Sequence, residues 1–98
     1  MQTVLIIVNS PAYGNERMLS ALRLATALSI QEHETVDLRL FMMSDAVTVG
    51  LPGQVLGEGS ATLESMLEEL ALRGAQIRLC RTCAQARGIT DFALISGV

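Results

Sequence analysis

The chain opens on a continuous apolar run, Thr3-Val4-Leu5-Ile6-Ile7-Val8, bounded by the turn-forming stretch NSPAYGN. A β-branched run that is apolar at both parities predicts a central parallel strand covered by helices. From residue 16 to 31 the period becomes helical: Met18, Leu19, Leu22, Ala25 and Leu28 fall on a wide apolar face, with Glu16, Ser20, Arg23 and Gln31 opposite. Asn15 is placed to cap this helix, with Glu16 in its first turn near the positive dipole end. Residues 35–42 alternate, Val36, Leu38 and Leu40 against Asp37 and Arg39. That predicts a strand with one wetter face, nearer an edge.

A glycine-rich connection follows over 43–60, MSDAVTVGLPGQVLGEGS, and is long for so small a domain. Two readings stay open for it: a binding element or lid, and a plain crossover with one helical turn at 45–49. Ser60 is set to cap a second helix over 61–73, with Leu63, Met66, Leu67 and Leu70 inward, Glu64, Glu68 and Glu69 outward, and Gly74 as its stop. AQIRLC (75–80) predicts a third strand, 81–87 a short helix ending at Gly88, and DFALISGV (91–98) a fourth strand. The order β-α-β-α-β-α-β predicts one α/β domain spanning 1–98, built on a mainly parallel sheet of about four strands with helices on both faces.

Composition narrows the function classes. Half of the 98 residues are hydrophobic and only 17% are charged, so the chain can build a core made mostly of Leu, Ile, Val, Ala and Met. The net charge of −3, with all seven cations arginines scattered along the chain, argues against nucleic acid as the main partner. The apolar run at 4–8 is too short to span a bilayer and has no basic segment before it, so no membrane partner is expected. The cytoplasm is the expected location, and its thiols are kept reduced.

In an open parallel sheet, sites form beyond the carboxyl ends of the strands. Those ends gather Asn9, Ser10, Tyr13, Asp45 and Cys80 on one rim. The two cysteines lie in LCRTCAQARGI (79–89). Zinc needs three or four ligands, and the chain offers Cys80, Cys83 and one His33 in a polar turn, so no metal is expected. A thioredoxin-type dithiol would follow an early strand and open a long helix; here it follows the third strand and opens a short one. A single activated thiolate fits better. Cys80 closes a strand before a helix N-terminus, and the stretch 70–90 holds Arg73, Arg78, Arg81 and Arg87 but no acidic residue. A low-pKa, accessible cysteine attacks sulfane sulfur and can carry a persulfide. Against this stands a blander reading, in which both cysteines are small core residues. Position and charge favour a reactive Cys80; for Cys83 the two readings are even. The loop NSPAYGNE lacks the glycine spacing of both nucleotide-binding fingerprints, so no cofactor is expected.

Taken together, NSPAYGNE (9–16), DLRLFMMSDAVTVGLPGQ (37–54), GEG (57–59) and LCRTCAQARGI (79–89) resemble the DsrE/DsrF-like family, and within it the small YchN-type branch. The resemblance runs along essentially the whole chain. It implies a three-layer α/β/α domain and homo-oligomers, trimers or hexamers. It also implies a sulfur relay, in which a cysteine at the end of the equivalent strand, ahead of an Arg-Gly pair, holds a persulfide between donor and acceptor proteins. Counting back from Arg87-Gly88 puts that role on Cys80, with Cys83 assisting or resolving. Arg78 and Arg81 would steady the thiolate, and Asn9, Tyr13 and Asp45 would line the site. Members of the family usually continue past the fourth strand into a further helix and a closing strand; the sequence to Val98 either stops short of these or belongs to a shortened variant. In a shortened variant an uncovered sheet edge would call for an oligomer or a partner.

Overall fold

A computed structural model of the chain describes residues 2–30, 36–54, 62–90 and 94. Its elements alternate as the sequence predicts. Strand β1 (Gln2–Val8) leads to helix α1 (Arg17–Ser29) and strand β2 (Val36–Met42). A 3-10 segment (Ser44–Gly50), helix α2 (Leu63–Leu72), strand β3 (Gln76–Leu79) and the short helix α3 (Arg81–Ala86) follow. The three strands are parallel and ordered β1-β2-β3. The expected fourth strand, 91–98, lies outside the described residues apart from Leu94, which is in no regular element.

The sheet order corrects one expectation: β2, read as nearer an edge, is paired on both sides, by β1 and by β3, with Leu38, Leu40 and Met42 buried. The apolar run in β1 arises differently from double cover. Val4, Ile6 and Val8 face the core, while Leu5 and Ile7 are each 57% exposed on the opposite face. Register sets Leu5 beside Arg39 and Ile7 beside Phe41 on that second face.

Neighbouring parallel strands joined in sequence order by right-handed crossovers place their helices on one side. Helices α1 and α2 accordingly pack against each other and against the sheet. Their inward residues, Met18, Leu22 and Ala25 from α1 and Leu63, Leu67 and Leu70 from α2, join Leu38, Leu40, Met42 and Ile77 in one core. Burying such side chains contributes roughly 1.5–3 kcal/mol each, which makes this layer the main support of the sheet.

The helix ends are local and sequence-coded. Helix α1 begins one residue later than expected: Glu16 is its boundary, and the Asn15 carboxamide oxygen accepts the Arg17 N–H at 2.9 Å. Ser60 lies outside the described residues, and Thr62 caps α2, its hydroxyl accepting the Ser65 N–H at 3.0 Å. At the far end Ala75 N–H donates to Leu70 O and Gly74 N–H to Ala71 O, both at 3.0 Å, the paired bonds of a Schellman stop. The 3-10 segment supports the crossover reading for the first half of the glycine-rich connection, since Ala46, Val47, Val49 and Gly50 are all buried. Residues 55–61 lie outside the described residues.

Candidate functional site

Parallel register carries the strand ends to one level. Val8 pairs with Met42, and Met42 with Leu79, so Asn9, Met43 and Cys80 emerge together. The ladder extends one bond further at each junction: Met43 N–H donates to Val8 O at 2.9 Å, and Cys80 N–H to Met42 O at 2.8 Å. Cys80 is thus anchored by its backbone to the central strand. It is also the N-cap residue of α3, extended at φ −64°, ψ 120°, before the chain turns helical.

Both cysteines are free thiols and half-buried. They pack beside a small cluster of Val47, Ala84 and Ile89, which separates them from the main core. The Cys80 thiol is held below its ordinary value. The backbone N–H of Cys83 is the largest cause, then the Cys83 side chain; the Thr82 N–H and the Arg87 guanidinium add to it, and partial burial works the other way. Both backbone donors belong to the first turn of α3, as expected of a thiol at a helix N-terminus. What acts is a pair of local N–H groups and one neighbouring thiol. A hydrogen bond donated to the charged form favours it.

Cys83 has its own donor. The backbone N–H of Ser44 lies 3.2 Å from the Cys83 sulfur. Ser44 is the one non-glycine residue among those described with a left-handed backbone, φ 53°. Such a conformation costs an L-residue about 1–2 kcal/mol, so the surroundings must impose it. They do: Ala46 N–H bonds Met43 O at 3.0 Å across the turn, and Ala46 and Val47 are fully buried beyond it.

The arginine at this site is Arg87, one of the four cations expected around the thiol but not one of the two expected to steady it. Its Nε donates to Asp45 Oδ1 at 2.9 Å, and its Nη1 donates to the Cys83 carbonyl at 3.0 Å. The geometry follows from the end of α3. Gly88 adopts φ 66°, a conformation that suits glycine, and its N–H bonds Gln85 O at 3.1 Å while Ile89 N–H bonds Ala84 O at 3.1 Å. That stop sets Arg87 at the helix end, four residues from Cys83 and beside the 3-10 segment. Arg78 and Arg81 are exposed, on β3 and at the start of α3, and neither is among the groups that lower the Cys80 thiol. The Arg-Gly pair and its four-residue spacing from Cys83 were the available signals for Arg87; nothing in the sequence marked Ser44.

The remaining rim residues have other duties. Tyr13 donates its hydroxyl hydrogen to Gln54 O at 3.3 Å and accepts the Leu63 N–H at 3.4 Å, tying the first loop to the start of α2. Asn9 is exposed at the end of β1, two strands from Cys80, or about 10 Å at the usual inter-strand spacing. Cys80, Cys83, Ser44, Asp45 and Arg87 therefore form one group, and Asn9 and Tyr13 stand apart from it.

Comparison with known proteins identifies the lineage. The DsrE/DsrF-like family model matches residues 2–98. The chain belongs to the DsrE/DsrF-like family. Protein YchN of Escherichia coli strain K12 is 49% identical over 98 residues, covering 100% of this chain and 82% of that protein. An uncharacterized protein of Methanopyrus kandleri, MK0008, is 31% identical over 98 residues and covers 100% of this chain and 78% of its own length. The crystal structure of the ychN protein from E. coli superposes with a TM-score of 0.91, over 100% of this chain and 82% of that one. The α/β architecture read from the sequence is thus that of this DsrE/DsrF-like relative. Among the described residues no helix is long and apolar enough to cross a membrane.

Proposed function

We propose that this DsrE/DsrF-like chain is a sulfur carrier, holding sulfane sulfur as a persulfide on Cys80 and passing it on. One observation carries the reading: a half-exposed thiol at a strand end whose charged form is favoured by two N–H groups and a neighbouring thiol. A thiolate so held forms at lower pH than that of a free cysteine, and an added sulfur would occupy the half-exposed side of the thiol. Ionisation of Cys80 is the first step. The thiolate then attacks the outer sulfur of a persulfide donor, and the donor leaves as its own thiolate. Transfer onward reverses the sequence on an acceptor thiol. Asp45 and Arg87 fix the end of α3, and with it the Cys83 N–H that faces Cys80.

The same reading places the protein in the cytoplasm, as a homo-oligomer, trimer or hexamer, serving donor and acceptor proteins rather than nucleic acid or a membrane. It needs neither cofactor nor metal. Incubation with a persulfide donor or thiosulfate, followed by intact mass measurement, tests it: wild type gains one sulfur atom and Cys80→Ser gains none. Equal uptake by Cys80→Ser, or no uptake by either wild type or Cys83→Ser, sinks the reading.

A dithiol oxidoreductase is the second reading, favoured by the contact between the Cys83 side chain and the Cys80 sulfur. It expects a disulfide that forms and opens reversibly in glutathione buffers, with no sulfur uptake.

A further inference from the structure

The carrier reading leaves the second thiol without a task once Cys80 is loaded. Cys83 lies one helical turn beyond Cys80, and both thiols are free. Both side chains pack on the same small cluster of Val47, Ala84 and Ile89, which sets Cys83 on the side of Cys80 whose sulfur would become the inner sulfur of a persulfide. On its other side the Ser44 N–H points at the Cys83 sulfur from 3.2 Å. A backbone donor aimed at sulfur holds that side chain in one orientation. The donor is built in: it is presented by a left-handed residue, at φ 53°, that the buried 3-10 segment holds in place. Cys83 is therefore a thiol fixed by a backbone bond in the same small cluster as Cys80.

We propose that Cys83 discharges the Cys80 persulfide as hydrogen sulfide, closing a Cys80–Cys83 disulfide. The step rests on the carrier reading and adds an outcome to it. The Cys83 sulfur gives up its proton and attacks the inner Cys80 sulfur. A Cys80–Cys83 sulfur–sulfur bond forms as the bond from Cys80 to the outer sulfur breaks. The outer sulfur leaves with the bonding electron pair as hydrosulfide, which takes up the proton. Two cysteine thiols are oxidised to a disulfide, and one sulfane sulfur is reduced by the same two electrons to sulfide. No outside oxidant enters. An external dithiol then reopens the disulfide by exchange and resets the chain. Attack on the outer sulfur would instead move the persulfide to Cys83. Shared packing and the one-turn spacing set Cys83 beside the Cys80 side chain itself, which favours the inner position.

The test loads the full 98-residue chain and its Cys83→Ser variant with inorganic polysulfide, removes the excess, and holds both without added thiol. Intact mass and trapped sulfide are followed together. Wild type is expected to lose its added sulfur, ending lighter than the reduced chain by two hydrogens, and to release one sulfide per chain. Cys83→Ser keeps the added sulfur, losing it at least about tenfold more slowly because no internal thiol exchanges with it. Equal retention in the two proteins overturns the discharge step while leaving the carrier reading standing, as does peptide mapping that finds the sulfur on Cys83. Failure of both proteins to take up sulfur sinks the carrier reading and the discharge step with it.

Discussion

Two parts of the same rim stand at the carboxyl ends of parallel strands, yet they are put to different uses. Beyond β1, Ser10 is 6% exposed and the Tyr13 hydroxyl is engaged on both sides, donating to Gln54 O and accepting from Leu63 N–H. Beyond β2 and β3, the donors converge on sulfur: Ser44 N–H on Cys83, and the Cys83 and Thr82 N–H groups on Cys80. Topology makes both places available. What separates them is whether the polar groups close backbone bonds or face a nucleophile. The first is a joint, the second a site.

The sharpest way to break this contrast is the pH profile of alkylation. Cys80 has its thiol lowered, so its thiolate forms at lower pH than that of a free cysteine, and its reaction with iodoacetamide rises at lower pH. The sign is that of any acid whose charged form the fold favours: the added reactivity is present between the lowered value and that of a free thiol, and is lost as pH falls through the lowered value. Cys80→Ser should remove the component of alkylation that rises at lower pH. A profile that matches a free thiol would remove the distinction between the two regions.

Tyr13→Phe probes the other side of the comparison. Its hydroxyl makes two long bonds, at 3.3 and 3.4 Å, both only partly buried. Their loss should destabilise the chain by about 1 kcal/mol in denaturant unfolding, within the usual range for such bonds. Sulfur uptake by Cys80 should be unchanged. If uptake falls while stability holds, Tyr13 belongs to the site and the joint reading is wrong.

The sequence made the elements legible where pattern and burial coincide. The helical faces of α1 and α2 were readable because Met18, Leu22, Ala25, Leu63, Leu67 and Leu70 recur at core-facing spacing, and all are buried. Strand order was not readable. The run in β1 is apolar at both parities, and that pattern does not distinguish a doubly covered strand from one whose Leu5 and Ile7 stand exposed. Cys80 was readable from its place at a strand end. Its partners were not, because sequence counts arginines without measuring their reach. Arg78 and Arg81 flank Cys80 closely in the chain and face solvent, whereas Arg87 is brought back to Asp45 by the stop at Gly88. The Ser44 N–H is a backbone group, and its aim depends on a left-handed turn that no side-chain pattern encodes.

Arg87 yields the smallest of these effects and the most discriminating one. It is the last and weakest of the influences that lower Cys80, and its charge is already shared with Asp45 through an exposed ion pair at 2.9 Å. Removing it in Arg87→Met should slow alkylation of Cys80 near neutral pH by only about twofold, the scale of a screened surface charge worth a few tenths of a kcal/mol. The midpoint of the profile should move up, because the lost cation favoured the thiolate. Asp45→Asn separates charge from anchoring. It frees the guanidinium from its carboxylate, so through charge alone the midpoint moves down, opposite to Arg87→Met. If instead both variants raise it, the ion pair acts by holding the end of α3, and with it the Cys83 N–H, in place. The direction of the Asp45→Asn shift thus decides whether this pair tunes the thiolate by its field or by fixing the donor that faces it.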